Sequence, residues 1–205
     1  NKSGYVGTSY DISNYLNYGN ENILVVRVDA TQYEGWFYEG AGIYRHVWLN
    51  QYNTVHLDEN PVFVYSDVQK NIATVYVETT LQNESYNVAN VSVAAIITNR
   101  DGLKIGETIS KPVSLAINGK TTVKQSVKIT NPRLWSLEDP YLYRVVPMIQ
   151  SAGKIIDTDK IRFGIRTVNI TNKGVFLNGK YIKLKGTNNH QDHAGVGSAL
   201  PDYLQ

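Results

Sequence analysis

Apolar and polar residues alternate with a period of two through the middle of the chain. In the clearest segment, Val75, Val77 and Leu81 fall on one side, and Tyr76 and Glu78 fall on the other. Because successive side chains of a β-strand point to opposite faces, this alternation predicts a strand with one buried face. Similar strand patterns recur at 91–97, 123–129, 141–148 and 155–163.

Turn residues separate these predicted strands. Asn118-Gly119 is the strongest two-residue hairpin signal, since both residues accept the positive φ that such a turn needs. Further turns are expected at 83–85, 99–102 and 151–153. Short strands at this spacing, about five to seven of them, are typical of an immunoglobulin-like β-sandwich. The sequence therefore predicts a mainly β fold with one complete sandwich domain.

The first part of the chain has a less regular pattern. Apolar runs at 23–28 and 44–49 lie near glycine and asparagine turn residues and predict two strands. Helical periodicity is nearly missing, and the best candidate is a short turn over 11–16. The glycine-rich stretch 34–46, crowded with aromatic residues, has two interpretations. It is either a packed corner or a loop that reaches a neighbouring domain's pocket.

The last part of the chain predicts a hairpin that turns at Asn178-Gly179. Its second arm continues as a strand over 181–185, which runs into Gly186. A cluster of hydrogen-bonding side chains follows at 188–193. A strand whose carboxyl end carries such groups resembles the first strand of a parallel β/α (TIM) barrel, where substrate sites lie. A barrel needs roughly 250 residues, so we expect the site to begin in this chain and to be completed beyond it.

The cluster of hydrogen-bonding side chains at 188–193 has three possible interpretations. A metal could bind His190, Asp192 and His193, since imidazole and carboxylate suit zinc or iron, but adjacent side chains of an extended segment diverge. A purely structural loop is the second reading. The third is recognition of sugar hydroxyls, which need both donors and acceptors. We favour the third, and its candidate substrate-binding residues are Asn188, His190, Asp192 and His193.

Other catalytic patterns are missing from the sequence. Glycoside cleavage usually needs two carboxylates, and Glu39, Glu138, Asp192 and Asp202 sit in unrelated contexts. There is no Ser/His/Asp pattern, phosphate loop or dinucleotide fingerprint. We therefore assign no catalytic residue within this chain.

Composition narrows the classes of protein. Hydrophobic residues make up 42% and charged residues 19%, as in ordinary folded domains. The formal net charge of +2 is scattered, which argues against a nucleic-acid partner. The absence of cysteine excludes disulfides and Cys-ligated metals. No apolar stretch approaches the roughly 18 residues of a membrane span, so no membrane partner is expected. The tyrosine-rich, cysteine-free composition leans towards an extracytoplasmic location, periplasmic or secreted.

Four stretches combine into a recognisable order and spacing. They are 10–16 with 22–29 (Tyr-Asp-Ile-Ser-Asn-Tyr-Leu and Asn-Ile-Leu-Val-Val-Arg-Val-Asp), 40–49 (Gly-Ala-Gly-Ile-Tyr-Arg-His-Val-Trp-Leu), 132–136 with 140–143 (Pro-Arg-Leu-Trp-Ser and Pro-Tyr-Leu-Tyr), and 163–167 leading to 177–180 and 185–190 (Phe-Gly-Ile-Arg-Thr, Leu-Asn-Gly-Lys and Lys-Gly-Thr-Asn-Asn-His). Over essentially its whole length the chain resembles a piece of a family 2 glycoside hydrolase, the family of β-galactosidases, β-glucuronidases and β-mannosidases.

The resemblance implies a domain order. Residues 1–58 would be the last strands of a jelly-roll sugar-binding domain, residues 59–166 the complete immunoglobulin-like sandwich, and residues 167–205 the start of a truncated catalytic barrel. The family's two catalytic glutamates would lie beyond Gln205. The resemblance therefore implies a parent that is a retaining exo-β-glycosidase, β-galactosidase-like, and a fragment that is inactive by itself.

The resemblance also suggests roles for individual residues. Asn188 and His190 fall on the family's Asn-x-His motif, where the histidine helps to bind substrate hydroxyls and the transition state. His193 falls where galactosidase-like members often place another histidine. Asn189 and Gln191 depart from the arginine and glutamate of many members, which puts the polarity of the subsite, and so the sugar, in doubt.

Partners and cofactors follow from the same resemblance. We expect a carbohydrate substrate and no cofactor in this chain. The parent could be a homo-oligomer and could bind a divalent metal. The alternative function is a stand-alone carbohydrate-binding or adhesion module built on the sandwich.

Overall fold

A computed structural model describes residues 6–29, 31, 42–188 and 193–204. Within these ranges the chain is mainly β, which confirms the predicted fold class at that level, and contains two 3₁₀ turns, Ser13–Tyr15 and Asp202–Leu204. The strands, in chain order, are β1 (Val55–Gln69), β2 (Ile72–Asn83), β3 (Ala89–Thr98), β4 (Lys104–Ile109), β5 (Val113–Leu115), β6 (Lys120–Thr130), β7 (Tyr143–Ser151), β8 (Lys154–Thr158), β9 (Ile161–Phe163), β10 (Val168–Thr171), β11 (Gly174–Leu177) and β12 (Lys180–Ile182). No helix in the described ranges has the length and apolar character that crossing a membrane requires.

Two antiparallel sheets form a β-sandwich. One has the strand order β1-β2-β6. The other has the order β4-β3-β7-β8, with β5 paired to β3 and β9 paired to β7. Strands of both sheets contribute to the same hydrophobic clusters, so the sheets pack face to face. A third, smaller sheet has the order β10-β11-β12.

The core of the sandwich comes from the alternating positions of its strands. Val75 and Val77 of β2 are fully buried and share one cluster with Ile97 of β3 and Val145 of β7. Each such side chain contributes roughly 1.5–3 kcal/mol when it is buried. A second cluster contains Leu57, Leu81, Val91, Val93, Leu115, Val123 and Ile149. The period of two in the sequence therefore corresponds to the inward faces of the sheets.

The chain divides into two compact units. One is Leu49–Thr187, which holds the strands named above. The other consists of the described residues of Asn1–Trp48 and Asn188–Gln205. The domain boundaries expected after residues 58 and 166 stay predictions. Strand β1 runs through residue 58, although its register with β2 shifts between Leu57 and Val62.

The prediction of a β-hairpin at Asn118-Gly119 is wrong. A tight turn does form there, since the amide of Gly119 donates to the carbonyl oxygen of Ala116 at 3.0 Å and Asn118 has φ of +50°. The flanking strands, however, do not pair with each other. Strand β5 pairs with β3, and β6 pairs with β2. The turn therefore carries the chain from one sheet to the other.

The strands predicted at 23–28 and 44–49 are also absent. Residues 23–28 carry no strand assignment, and Ile23 and Val25 are more than four-fifths exposed. Trp48 is likewise exposed. A strand needs a partner for its backbone hydrogen bonds, and neither segment has one within the described residues.

The hairpin predicted near the end of the chain is confirmed. Strands β11 and β12 pair across Asn178 and Gly179, which both have positive φ. This is the geometry that an Asn-Gly turn favours. The second arm is shorter than expected, since β12 ends at Ile182 rather than continuing through residues 183–185.

Candidate substrate-binding segment

The hairpin that leads to the predicted site is anchored by Asn178. Its side-chain oxygen accepts a hydrogen bond from the backbone amide of Thr167 at 3.0 Å, and its backbone amide donates to the carbonyl oxygen of Thr167 at 2.9 Å. Its side-chain Nδ2 donates to the carbonyl oxygen of Trp135 at 2.9 Å. These bonds fix the turn that precedes β12, so the chain leaves the hairpin from a defined point.

The structure describes two of the four candidate substrate-binding residues. Asn188 lies in an irregular, exposed stretch that follows β12 along the chain. His193 is also exposed and starts a tight turn. His190 and Asp192 lie outside the described residues. Asn188 and His193 are therefore accessible to a ligand, and the four assignments stay predictions.

The turn after His193 is held by its own backbone. The carbonyl oxygen of His193 accepts from the amides of Val196 and Gly197 at 3.2 and 2.8 Å. Gly195 and Gly197 have φ of +84° and +54°, a region that glycine enters without steric cost. The glycines of this stretch therefore serve to close the turn.

The His193 ring is set up to accept a hydrogen bond. Its Nδ1 lies 3.1 Å from the carbonyl oxygen of Ala194. A carbonyl oxygen only accepts, so Nδ1 is the protonated nitrogen in this contact. In the neutral ring, Nε2 is then left as an acceptor. A sugar hydroxyl is a donor of the matching kind.

A second contact brings together two residues that sequence reasoning did not connect. The Nε2 atom of His46 lies 2.9 Å from Oδ2 of Asp202, although the two are 156 positions apart. The ring of His46 is also tilted at 53° to that of Trp48, with the centroids 5.3 Å apart. Both partners of the contact are largely exposed. No local pattern in the sequence could have revealed this pair.

The metal interpretation stays a prediction, because His190 and Asp192, two of its three proposed ligands, lie outside the described residues. Among the described residues, no three His, Asp or Glu side chains converge in a way that could hold a metal ion. A cation site of this kind normally needs three or more such protein ligands.

A polar cavity lies elsewhere, within the unit Leu49–Thr187. It has a volume of about 460 Å³ and is lined by Asp67, Lys70, Thr167, Asn169 and Asn178, among others. Neither Asn188 nor His193, the two candidates within the described residues, lines it. Its residues belong to the junction between β1 and the hairpin sheet, so we assign it no role in the predicted site.

Comparison with known proteins decides the family. The model of the glycosyl hydrolases family 2 matches residues 55–166, more than half of the chain. The chain belongs to glycosyl hydrolases family 2. The matched residues run from the start of β1 to beyond β9, so the family match coincides with the β-sandwich.

Relatives in family 2 align with nearly the whole chain. A β-galactosidase of Thermoanaerobacter pseudethanolicus is 31% identical over 100% of this chain and 28% of its own length. A β-galactosidase of Bacteroides ovatus is 35% identical over 96% of this chain and 23% of its own length. A β-glucuronidase of Formosa agariphila is 30% identical over 100% of this chain and 23% of its own length. The chain thus spans about a quarter of the length of these family 2 relatives.

A solved structure of a family 2 member has a similar fold. The crystal structure of a family 2 member from Bacteroides cellulosilyticus matches with a TM-score of 0.81 and 34% identity. The match covers 89% of this chain and 25% of that protein. The arrangement of strands described above is therefore a family 2 arrangement.

Proposed function

We propose that this chain is a non-catalytic part of a retaining exo-β-glycosidase, β-galactosidase-like, which removes terminal β-linked sugars. The observation that carries the proposal is the pattern of coverage. Family 2 relatives align with 96–100% of this chain but with only 23–28% of themselves. In this proposal the chain supplies scaffold and part of the sugar subsite, and the acids that break the bond lie outside it.

The proposed architecture follows the family resemblance. The exposed apolar run around Ile23 and Val25 would belong to a jelly-roll sheet whose other strands come from further polypeptide. The sandwich would be the immunoglobulin-like domain, and β12 would lead into the first strand of a β/α barrel. The unpaired state of residues 23–28 supports the first of these assignments, because an exposed apolar run normally gains a partner.

The proposed chemistry is recognition by neutral hydrogen-bonding groups. Asn188 offers an amide donor and an acceptor, and the Nε2 of His193 offers an acceptor. His190 and Asp192 would add contacts to the same sugar. Retaining cleavage then needs two carboxyl groups about 5–5.5 Å apart, one as nucleophile and one as acid/base. These would be glutamates beyond Gln205, so the 205-residue chain would bind weakly and not hydrolyse.

Further expectations belong to the whole protein. We propose a carbohydrate substrate, no cofactor bound by this chain, a homo-oligomeric parent and an extracytoplasmic location. A metal-dependent reaction that uses His190, Asp192 and His193 is the rival to the metal-free part of this proposal. Activity of the full-length protein in excess chelator tests this: retained activity argues against a metal-dependent reaction that uses His190, Asp192 and His193.

The decisive experiment uses the full-length protein that contains this chain. His190→Ala is expected to lower kcat/KM on an aryl β-galactoside, with the largest loss in affinity for a galactose-configured transition-state analogue. Tyr86→Ala is the control, because Tyr86 is 92% exposed on the turn between β2 and β3. An unchanged kcat/KM in His190→Ala would remove this residue from the site. Faster cleavage of an aryl β-glucuronide than of the galactoside would overturn the proposed sugar.

One observation favours the alternative of a stand-alone carbohydrate-binding module. The outer face of the β1-β2-β6 sheet carries aromatic rings, with Tyr65 stacked on Tyr76 at 4.9 Å and Phe63 5.4 Å from Tyr65. Glu78 and Lys124 pair beside them at 2.8 Å. Exposed aromatic rings next to charged hydrogen-bonding groups suit sugar binding.

This alternative makes a different prediction for the 205-residue chain. It expects calorimetric binding of a β-linked galacto-oligosaccharide that Phe63→Ala and Tyr65→Ala weaken and Tyr86→Ala does not. It also expects the coding sequence to stop near Gln205. A continuation of barrel length with two glutamates at strand ends favours the enzyme instead.

A further inference from the structure

The contact between His46 and Asp202 connects two distant parts of the chain within one compact unit. His46 lies in the stretch 42–48, and Asp202 starts the 3₁₀ turn Asp202–Leu204. The Nε2 to Oδ2 distance of 2.9 Å is that of a hydrogen bond between an imidazole and a carboxylate. The carboxylate only accepts, so Nε2 is the donor.

Backbone hydrogen bonds close several turns in the segment that leads from Asp202 back to His193. The amide of Leu204 donates to the carbonyl oxygen of Pro201 at 2.9 Å, and the amide of Ala199 donates to that of Val196 at 3.0 Å. The amide of Val196 in turn donates to the carbonyl oxygen of His193. Turns therefore occupy most of the segment 193–204, which has His193 at one end and Asp202 near the other.

We infer that His46 and Asp202 are positioning residues for the sugar-binding segment: their contact holds the turn at His193 in its binding conformation. The inference rests on the proposed function, because it takes His193 as a substrate contact. Neither side chain is assigned to the sugar or to the reacting atoms. Both act through the backbone that separates Asp202 from His193.

The expected effect is specific to substrate binding. When only a fraction of the molecules has the binding conformation, the apparent association constant is the intrinsic one multiplied by that fraction. Molecules that have bound substrate react as before. Loss of the contact should therefore raise KM and leave kcat unchanged. An exposed pair of this kind shifts such an equilibrium by about two- to fivefold. A variant that merely unfolds in part would show the opposite, a lower apparent kcat at constant KM.

The kinetic test uses the full-length protein and an aryl β-galactoside. His46→Ala and Asp202→Ala should each raise KM about two- to fivefold at constant kcat. The double variant should do no worse than either single one, because both remove the same contact. His46→Gln, which keeps a side-chain N–H donor, should recover most of the loss. Asp29→Ala is the matched control, since Asp29 pairs with Arg27 at 3.2 Å in the same unit. Unchanged KM in both single variants, or additive effects in the double variant, would overturn the inference.

A second measurement separates this inference from the proposed function. Amide exchange of Val196 and Gly197 in the 205-residue chain reports on the turn without any catalysis. Asp202→Ala should speed their exchange about two- to fivefold, whereas Asp29→Ala should not. Unchanged exchange in Asp202→Ala would overturn the positioning role. If exchange responds but His190→Ala and Asp202→Ala both leave kcat/KM unchanged, the proposed sugar-binding segment is wrong, and with it the role of this contact in binding.

Discussion

The side-chain amide of Asn178 donates to the carbonyl oxygen of Trp135 at 2.9 Å, which ties the hairpin sheet to the irregular segment between β6 and β7. Asn178→Ala removes this bond and the one from Thr167, and it places alanine at φ of +50°. Two lost hydrogen bonds and the left-handed backbone together should cost about 2–4 kcal/mol of unfolding free energy. Urea denaturation of the chain measures the loss.

The control for this variant is Asn118→Ala. Asn118 has the same φ of +50° in an exposed turn, without a side-chain hydrogen bond of the kind that Asn178 makes. It should cost only the backbone contribution of about 1–2 kcal/mol. Equal losses in the two variants would show that the side-chain bonds of Asn178 to Thr167 and Trp135 together contribute nothing.

A close approach at Trp135 gives the second prediction. A methyl group added at Gly164 would lie 2.8 Å from Cβ of Trp135 and 3.0 Å from its Cγ. Gly164→Ala should therefore destabilise the sandwich by about 1–3 kcal/mol, because a packed indole cannot yield without a shift of its neighbours. Gly186→Ala, where a methyl group meets no atom within 4 Å, is the control. Thermal unfolding that is the same for both variants would contradict the packing argument.

The sequence predicted the fold best where the pattern depends on local alternation. Val75, Val77 and Leu81 are buried as the period of two requires. The Asn178-Gly179 turn was predictable because its two flanking strands pair with each other. Asn118-Gly119 has the same two residues, but whether flanking strands pair is decided by distant strands. A turn signal alone does not contain that information.

The candidate site was predictable only in part. Asn188 and His193 were proposed because they follow a strand and fall at positions suggested by the family resemblance; both are exposed, and their binding roles stay predictions. The contact between His46 and Asp202 depends on how two segments 156 positions apart pack together. A periodic pattern in the sequence describes only neighbouring positions, so it could not predict this contact. The strand predicted at 23–28 is absent, since the apolar run shows only that a strand is favoured, and a strand forms only where a partner is available.

The pair of Arg133 and Asp139 predicts a dependence of stability on pH. Arg133 donates to Asp139 from Nε at 2.6 Å and from a second nitrogen at 2.9 Å, and these hydrogen bonds hold the pKa of Asp139 below its usual value of 3.8. A carboxyl group whose pKa is lower in the folded state stabilises the fold. This contribution is fully present when the pH is above the pKa of the unfolded chain, and it is lost as the pH falls through the pKa of the folded state.

The matching experiment compares melting temperatures with pH. The deficit of Asp139→Asn relative to the unmodified chain should be constant near neutral pH and should close as pH falls below 3.8. Asp101→Asn, at an exposed turn between β3 and β4, is the control. A deficit that widens in acid would mean that the sign of this linkage is wrong.

A buried hydroxyl gives the fourth prediction. Oγ1 of Thr79 is fully buried on the inner face of β2 without a hydrogen-bond partner in the protein. Thr79→Val removes the unsatisfied group at nearly constant shape and should raise the unfolding free energy by about 1 kcal/mol. Thr80→Val is the control, since Thr80 contacts the hydroxyl of Thr122 at 3.0 Å and should gain nothing. A clear loss of stability in Thr79→Val would indicate that the hydroxyl has a partner, such as a buried water.

Our central proposal is that this chain holds scaffold and sugar-binding residues of a family 2 glycosidase and that the catalytic acids lie elsewhere. Its most direct test is hydrolysis of an aryl β-galactoside by purified polypeptide of these 205 residues, beside the full-length protein. We predict turnover by the full-length protein and none above buffer by the 205-residue chain. Turnover by the chain itself, with contaminating enzyme excluded by a preparation from a host that lacks β-galactosidase, would contradict the account.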